Sequence, residues 1–98
     1  MTVLLQIDFP FSGPWGEDMA AGMKALAASI AEEPGLVWKI WTENREAGGI
    51  YLFTDRDSAQ AYLEMHRARL LGFGIATVNA KLFDVNRNLS LIDRAPLS

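Results

Sequence analysis

The segment from Gly35 to Phe53 constrains the fold of this chain more than any other part of its sequence. Two runs of alternating residues, rich in β-branched and aromatic side chains, flank a short polar turn that contains glycine. This pattern is typical of a β-hairpin. Trp38 and Trp41 are three residues apart, so on a regular strand their side chains project from opposite faces. The sequence therefore predicts a sheet with large aromatic groups on both faces, and both faces must be covered.

Periodic patterns in the rest of the chain predict two helices and two further strands. Residues 2–9 alternate in the manner of a strand, and apolar residues then recur at helical spacing until about Glu33. A second helix is expected to begin after a cap at Thr54 or Asp55, and residues 75–85 alternate as a last strand.

The predicted order of elements, β-α-β-β-α-β, favours an α+β fold of the ferredoxin-like type. Right-handed crossovers then give a four-stranded antiparallel sheet with both helices on one face. The chain has 98 residues and no internal linker, low-complexity segment or tandem repeat. Residues 1–98 are therefore expected to form a single domain with a modest core of its own.

Two short helices can cover only one face of such a sheet, and we expect the more uniformly apolar face beneath them. The residues predicted for this face are Val3, Leu5, Ile7, Phe9, Leu36, Trp38, Ile40, Ile50, Leu52, Ala76, Val78, Ala80 and Leu82. The opposite face mixes polar residues with Trp41, Tyr51 and Phe53, and it is too apolar to leave in water. A second copy packed sheet against sheet about a twofold axis would cover it. The sequence therefore predicts a homodimer through the open sheet face.

The composition argues against several classes of protein. Hydrophobic residues make up 50% of the chain and charged residues 21%, which is ordinary for a globular domain. The net charge of −3 gives no basic field to attract nucleic acid or an anionic membrane. The chain has no cysteine, no apolar run near the roughly 20 residues that cross a bilayer, and no signal-peptide pattern. We therefore expect a cytoplasmic protein that binds neither nucleic acid nor membranes.

His66 is the only histidine and the first candidate for chemistry. It lies on the inward stripe of the predicted second helix, one turn after Tyr62. The usual pKa of histidine, about 6.5, suits a general base. The alternative is a core histidine whose ring is satisfied by a backbone carbonyl. With one histidine and no cysteine, no metal site is expected.

Aromatic residues of the hairpin are candidates for a ligand pocket. Trp38 is predicted to face His66 across the core, either as a core side chain or as a wall against which an aromatic ligand stacks. Trp41 and Tyr51 are predicted on the opposite face, where packing in the dimer interface is the alternative to ligand binding.

Five segments, taken in order, give the chain a family resemblance. They read LLQIDFPFSGPWGEDMA, EEPGLVWKIWTE, EAGGIYLFTD, SAQAYLEMHRARL and AKLFDVNRNLS, and they span nearly the whole chain. In these segments the chain resembles the YdhR family of monooxygenases, a branch of the dimeric α/β-barrel (ferredoxin-like) superfamily. The resemblance implies the same fold, a dimer whose two sheets face one another, and a pocket in each subunit between the sheet and the helices.

Relatives in the wider superfamily oxygenate phenolic or quinol-like aromatics with O₂ and need neither metal nor flavin. The resemblance thus implies a cofactor-independent monooxygenase for a small aromatic substrate. The residue type and position of His66, the only histidine, make it the expected catalytic base for such a reaction. The residues expected around the substrate are Trp38, Trp41, Tyr51 and Tyr62. The first alternative is a non-catalytic dimer that binds a small aromatic or apolar ligand.

A second alternative is an RNA-binding domain, because the RNA-recognition fold has the same order of elements. Tyr51 and Phe53 are spaced like its stacking aromatics. The complete RNA-binding motif and a positive net charge are missing, which argues against this function.

Overall fold

The computed structural model describes residues 2–98. Its elements are β1 (Val3–Pro10), α1 (Gly16–Ala31), β2 (Leu36–Glu43), β3 (Glu46–Phe53), α2 (Arg56–Gly72), β4 (Asn79–Asp84) and α3 (Arg87–Ile92). The strands form one sheet in the order β2-β3-β1-β4, and each neighbouring pair is antiparallel. Helices α1 and α2 pack on the same face of this sheet. The predicted ferredoxin-like α+β fold is confirmed, with α3 as an additional short helix.

Local signals in the sequence account for some element boundaries but not for the start of the last strand. The carboxylate of Asp55 accepts a hydrogen bond of 2.7 Å from the backbone N–H of Ser58, so Asp55 caps α2 as expected. The last strand begins at Asn79 and is therefore shorter than predicted. Ile75 and Val78, which precede it, pack against the core without joining the sheet.

The predicted faces are right for β1 but wrong for β3. Leu5 of β1 pairs with Tyr51, which places Tyr51 and Phe53 on the face beneath the helices. Ile50 and Leu52 consequently lie on the open face. The hydrophobic pattern could not distinguish the two faces of β3, because both carry apolar residues. In the structure Tyr51 and Phe53 are completely buried. The aromatic pair that suggested RNA binding is therefore inside the core and not on a free sheet surface.

A β-bulge exchanges the faces of most of β2. The register of β2 against β3 shifts between Leu36 and Trp38, so Leu36 packs over the core while Trp38 lies on the open face. Trp41 lies beneath the helices, again opposite to the prediction. The prediction that Trp38 faces His66 is wrong. Its indole Nε1 instead donates a hydrogen bond of 2.7 Å to the carbonyl oxygen of Pro96.

The paired glycines of the hairpin belong to strand β3 and not to the turn. The turn itself comprises residues 44–45, with Arg45 in the left-handed conformation at φ 62°. A Cβ atom on Gly48 would clash with the carbonyl oxygen of Ile7 on β1. Glycine is therefore needed here because β1 and β3 approach each other closely.

The open face of the sheet retains exposed apolar residues. Ile40 and Phe83 on this face are 55% and 44% exposed. The apolar residues of α3 are exposed as well, namely Leu89, Leu91 and Ile92. No helix within residues 2–98 has the length and apolarity needed to cross a membrane.

Candidate functional site

A cavity of about 470 Å³ lies between the sheet and helices α1 and α2. Its apolar wall includes Phe9, Phe11, Met23, Leu26, Leu70 and Phe73. The titratable residues of its lining are Lys39, Tyr51 and His66, and none of the lining residues is acidic. The volume falls within the range of small-molecule sites, roughly 300–1,000 Å³. A largely apolar cavity with a few polar groups is suited to a small aromatic ligand.

The hairpin places Lys39 and Trp41 in this cavity. They are two residues apart after the bulge, so both side chains project toward the helices. Tyr51 lies opposite Lys39 on β3, and Gly49 lies opposite Trp41. A Cβ atom on Gly49 would lie 2.5 Å from Cε of Lys39. The missing side chain therefore leaves room for Lys39 to extend across β3.

Lys39 carries its amino group over aromatic rings. The Nζ atom lies 3.5 Å from the centroid of Trp41 and 4.7 Å from that of Tyr51, which is the geometry of a cation–π interaction. Burial lowers the pKa of Lys39 to about 7, and the nearby charge of Arg69 acts in the same direction. Lys39 therefore exchanges between its charged and neutral forms near neutral pH.

His66 is a buried residue of α2 whose ring is held on both sides. It stacks on Tyr62 with 5.1 Å between ring centroids. Arg69, one turn further along α2, approaches Nδ1 through Nε at 3.2 Å and Nη2 at 2.9 Å. Because a guanidinium group can only donate, Nδ1 must accept, and the neutral ring carries its proton on Nε2. Burial lowers the pKa of His66 to about 4, helped by the charges of Arg69 and Lys39.

Two tyrosines support the cavity from beneath. The hydroxyl of Tyr62 donates to the hydroxyl of Tyr51 at 3.1 Å, and the two rings are 5.0 Å apart. Burial raises the pKa of Tyr51, and the adjacent Tyr62 raises it further. Burial likewise raises the pKa of Tyr62. Both phenols therefore remain protonated. Tyr62 contacts both Tyr51 and His66 and thereby fixes the positions of their rings.

The structure brings together three of the five site residues expected from the sequence. His66, Trp41 and Tyr51 line the cavity. Tyr62 lies behind Tyr51 and His66 and contacts both rings. Trp38 is on the other face of the sheet, away from the cavity.

Two basic residues of the site were missed from the sequence. Neither Lys39 nor Arg69 was among the site residues expected from the sequence, and simple alternation with Trp38 would place Lys39 on the open face. The sequence feature that could have identified Lys39 is its position two residues before Trp41, which places both side chains on one face of a strand that pairs with glycines. No group of three His, Asp or Glu side chains within residues 2–98 comes together as a metal site.

A neighbouring cleft of about 480 Å³ adjoins the cavity on the α1 side. Both spaces are lined by Met19, Met23 and Trp41. Methionine side chains adapt readily to different shapes, so Met19 and Met23 form an adaptable wall shared by the two spaces.

Comparison with known proteins identifies a family. No curated protein matches the chain. A family model described as "Putative mono-oxygenase ydhR" matches residues 4–96, which is nearly the whole chain. Taken with the ferredoxin-like fold and the cavity between sheet and helices, this match shows that the chain belongs to the YdhR mono-oxygenase family.

Proposed function

We propose that this protein oxygenates a small phenol- or quinol-like aromatic with O₂ in the cavity beneath α1 and α2, without a resident metal or flavin. The family match supports the mono-oxygenase class. The observation that carries the choice of substrate is the lining itself, in which aromatic and aliphatic side chains surround only three titratable groups.

The reaction is balanced when the substrate supplies its own electrons. A phenol and O₂ give a quinone and water, so one oxygen atom enters the ring and the other leaves as water. The phenol must first lose its proton, because the phenolate transfers an electron to O₂ more readily than the neutral phenol. The cavity would hold the anion and O₂ together while excluding water.

His66, expected from the sequence to be the base, has the role of a hydrogen-bond donor in this proposal. With Nδ1 occupied by Arg69, the remaining hydrogen-bonding group of the ring is the N–H on Nε2. A donor at this position would stabilise the negative charge on the substrate oxygen. Trp41 and Tyr51 would hold the ring of the substrate through their aromatic faces.

The assembly that we propose is a homodimer formed through the open sheet face. Exposed Ile40 and Phe83 support this surface as the interface. The cavity lies on the helix side of the sheet, so such a dimer leaves it accessible. Light scattering coupled to gel filtration should give twice the mass of the chain. Ile40→Lys should then shift the protein to the monomer.

Oxygen consumption tests the proposed function. Purified protein should consume O₂ with quinols or polyphenols, with saturation, and uptake should survive treatment with a metal chelator. His66→Phe should abolish uptake, whereas His66→Gln, which retains an N–H donor, should keep part of it. Thermal melts of both variants control for folding. Measurable binding of these aromatics without any O₂ uptake would instead favour the non-catalytic binding dimer.

A further inference from the structure

The amino group of Lys39 has no acidic partner in the cavity. Within residues 2–98 the one ion pair closer than 4 Å joins Arg56 and Asp84, both on the surface. From β3, Lys39 is faced by the neutral phenol of Tyr51. From α2 it is approached by Arg69, whose charge lowers the pKa of Lys39, and by His66, whose pKa is lowered in part by the charge of Lys39. Among the cavity-lining residues, β1 and α1 contribute no titratable group.

The charged form of Lys39 is only partly stabilised in this position. The aromatic faces of Trp41 and Tyr51 offset some of the cost of removing the ammonium group from water. They cannot replace a counter-charge. A ligand with one negative oxygen on an aromatic ring would supply that charge and fill the apolar remainder of the cavity.

We propose that Lys39 takes the proton of the substrate's phenolic hydroxyl and then holds the phenolate oxygen as an ammonium–phenolate pair, so that the cavity selects acidic phenols. This inference rests on the function proposed above and names the residue that generates the reactive anion. The proton moves from the phenolic oxygen to Nζ, and no other reactant is needed. The pKa of Lys39 near 7 supports the transfer, because a neutral amine is available at neutral pH.

The space around Lys39 supports its role as a base with a defined position. Gly49 admits the aliphatic stem across β3, and Trp41 fixes the amino group at 3.5 Å from its ring. His66 lines the same cavity and offers an N–H donor. The phenolate oxygen would thus receive hydrogen bonds from two groups, Nζ of Lys39 and Nε2 of His66.

Anaerobic titration with 4-nitrophenol tests the inference without turnover, because its phenolate absorbs visible light and the neutral phenol does not. Wild-type protein should bind it as the phenolate at a pH where the free compound is largely protonated. The control ligand 4-nitroanisole has the same nitro-substituted ring but carries a methyl group on the oxygen, so it cannot ionise. It should bind at least about tenfold more weakly, which is the scale of one charge-assisted hydrogen bond.

Two variants of Lys39 separate its charge from its basicity. Lys39→Met has similar length and no charge, so it should bind 4-nitroanisole and neutral 4-nitrophenol equally and lose the phenolate spectrum. Lys39→Arg should keep the preference for phenolate but consume O₂ only at a pH where the substrate arrives already ionised, because arginine cannot accept the proton. Thermal melts establish that both variants fold.

Several results would overturn the inference. Equal binding of 4-nitroanisole and 4-nitrophenol to wild type would do so, as would an unchanged phenolate spectrum in Lys39→Met. Tight binding of 4-nitrobenzoate, together with no measurable binding of 4-nitrophenol, would show that the subsite accepts carboxylates and not phenolates. Lys39-dependent phenolate binding without O₂ uptake on any phenol would retain the anion subsite and refute the oxygenation. Uptake that Lys39→Met leaves intact would retain the oxygenation and refute the role of Lys39.

Discussion

Replacing Gly49 by alanine should destabilise the protein, although alanine inside a strand is usually more stabilising than glycine. Gly49 is buried in β3, and a Cβ atom there would lie 2.5 Å from Cε of Lys39 and 2.8 Å from the carbonyl oxygen of Ile40. The lysine can move, but the carbonyl belongs to the backbone of β2. The substitution therefore forces the two strands apart or twists their pairing.

The size of the effect follows from two opposing contributions. Overpacking of this kind costs about 1–3 kcal/mol. Reduced flexibility of the unfolded chain returns about 0.5–1 kcal/mol when glycine becomes alanine. Subtracting the second contribution from the first leaves a loss of about 0–2.5 kcal/mol in the free energy of unfolding. A loss near the centre of this range, about 1 kcal/mol, lowers Tm by roughly 4–8 °C for a domain of this size.

Urea denaturation followed by circular dichroism measures the loss. Gly22→Ala is the matched control, because Gly22 is exposed in α1 and a Cβ atom there meets nothing within 4 Å. That variant should gain about 0.5–1 kcal/mol. Gly49→Ala should also weaken binding of 4-nitrophenol by displacing Lys39. A Gly49→Ala protein as stable as wild type, with binding intact, would refute the steric argument.

Tyr62→Phe removes the donor to the Tyr51 hydroxyl and should lower the free energy of unfolding by about 1–2 kcal/mol in urea denaturation. Asp55→Ala removes the cap of α2 and should cost about 1 kcal/mol in the same assay. The folded-state pKa of His66, about 4, is below its usual 6.5, so the unfolded chain binds more protons between these values. The free energy of unfolding should therefore fall as the pH is lowered from 6.5 to 4, and it should fall by less in His66→Gln.

Each of these predictions has a contrary outcome that is easy to recognise. An unchanged midpoint for Tyr62→Phe would mean that the Tyr51 hydroxyl finds another partner. Asp55→Asn should retain the cap, so equal losses in the alanine and asparagine variants would assign the effect of Asp55 to its charge and not to capping. Identical pH profiles of wild type and His66→Gln would show that His66 does not titrate abnormally.

The order of elements and the fold could be predicted from the sequence because their signals are local. Alternation in β1, helical spacing before Pro34, and the cap at Asp55 each depend on residues close together in the chain. The family resemblance also followed from the sequence, and the family match confirms it. His66 was found because a single histidine on an apolar helix stripe is conspicuous.

The composition of the site depended on packing that no local pattern reports. One inserted residue at the bulge between Leu36 and Trp38 reversed the faces of β2 and brought Lys39 into the cavity. The orientation of β3 was ambiguous, because its two faces are equally apolar in sequence. Which nitrogen of His66 carries the proton is decided by Arg69, which the helix places one turn away.

The sequence by itself therefore determined the ferredoxin-like topology, since hydrophobic periodicity and capping are properties of neighbouring residues. The tertiary structure alone decided which aromatic residues face the helices and which basic groups meet in the cavity. The physical reason is that strand register is fixed by pairing between distant segments. A shift of one residue turns every side chain of a strand to the other face.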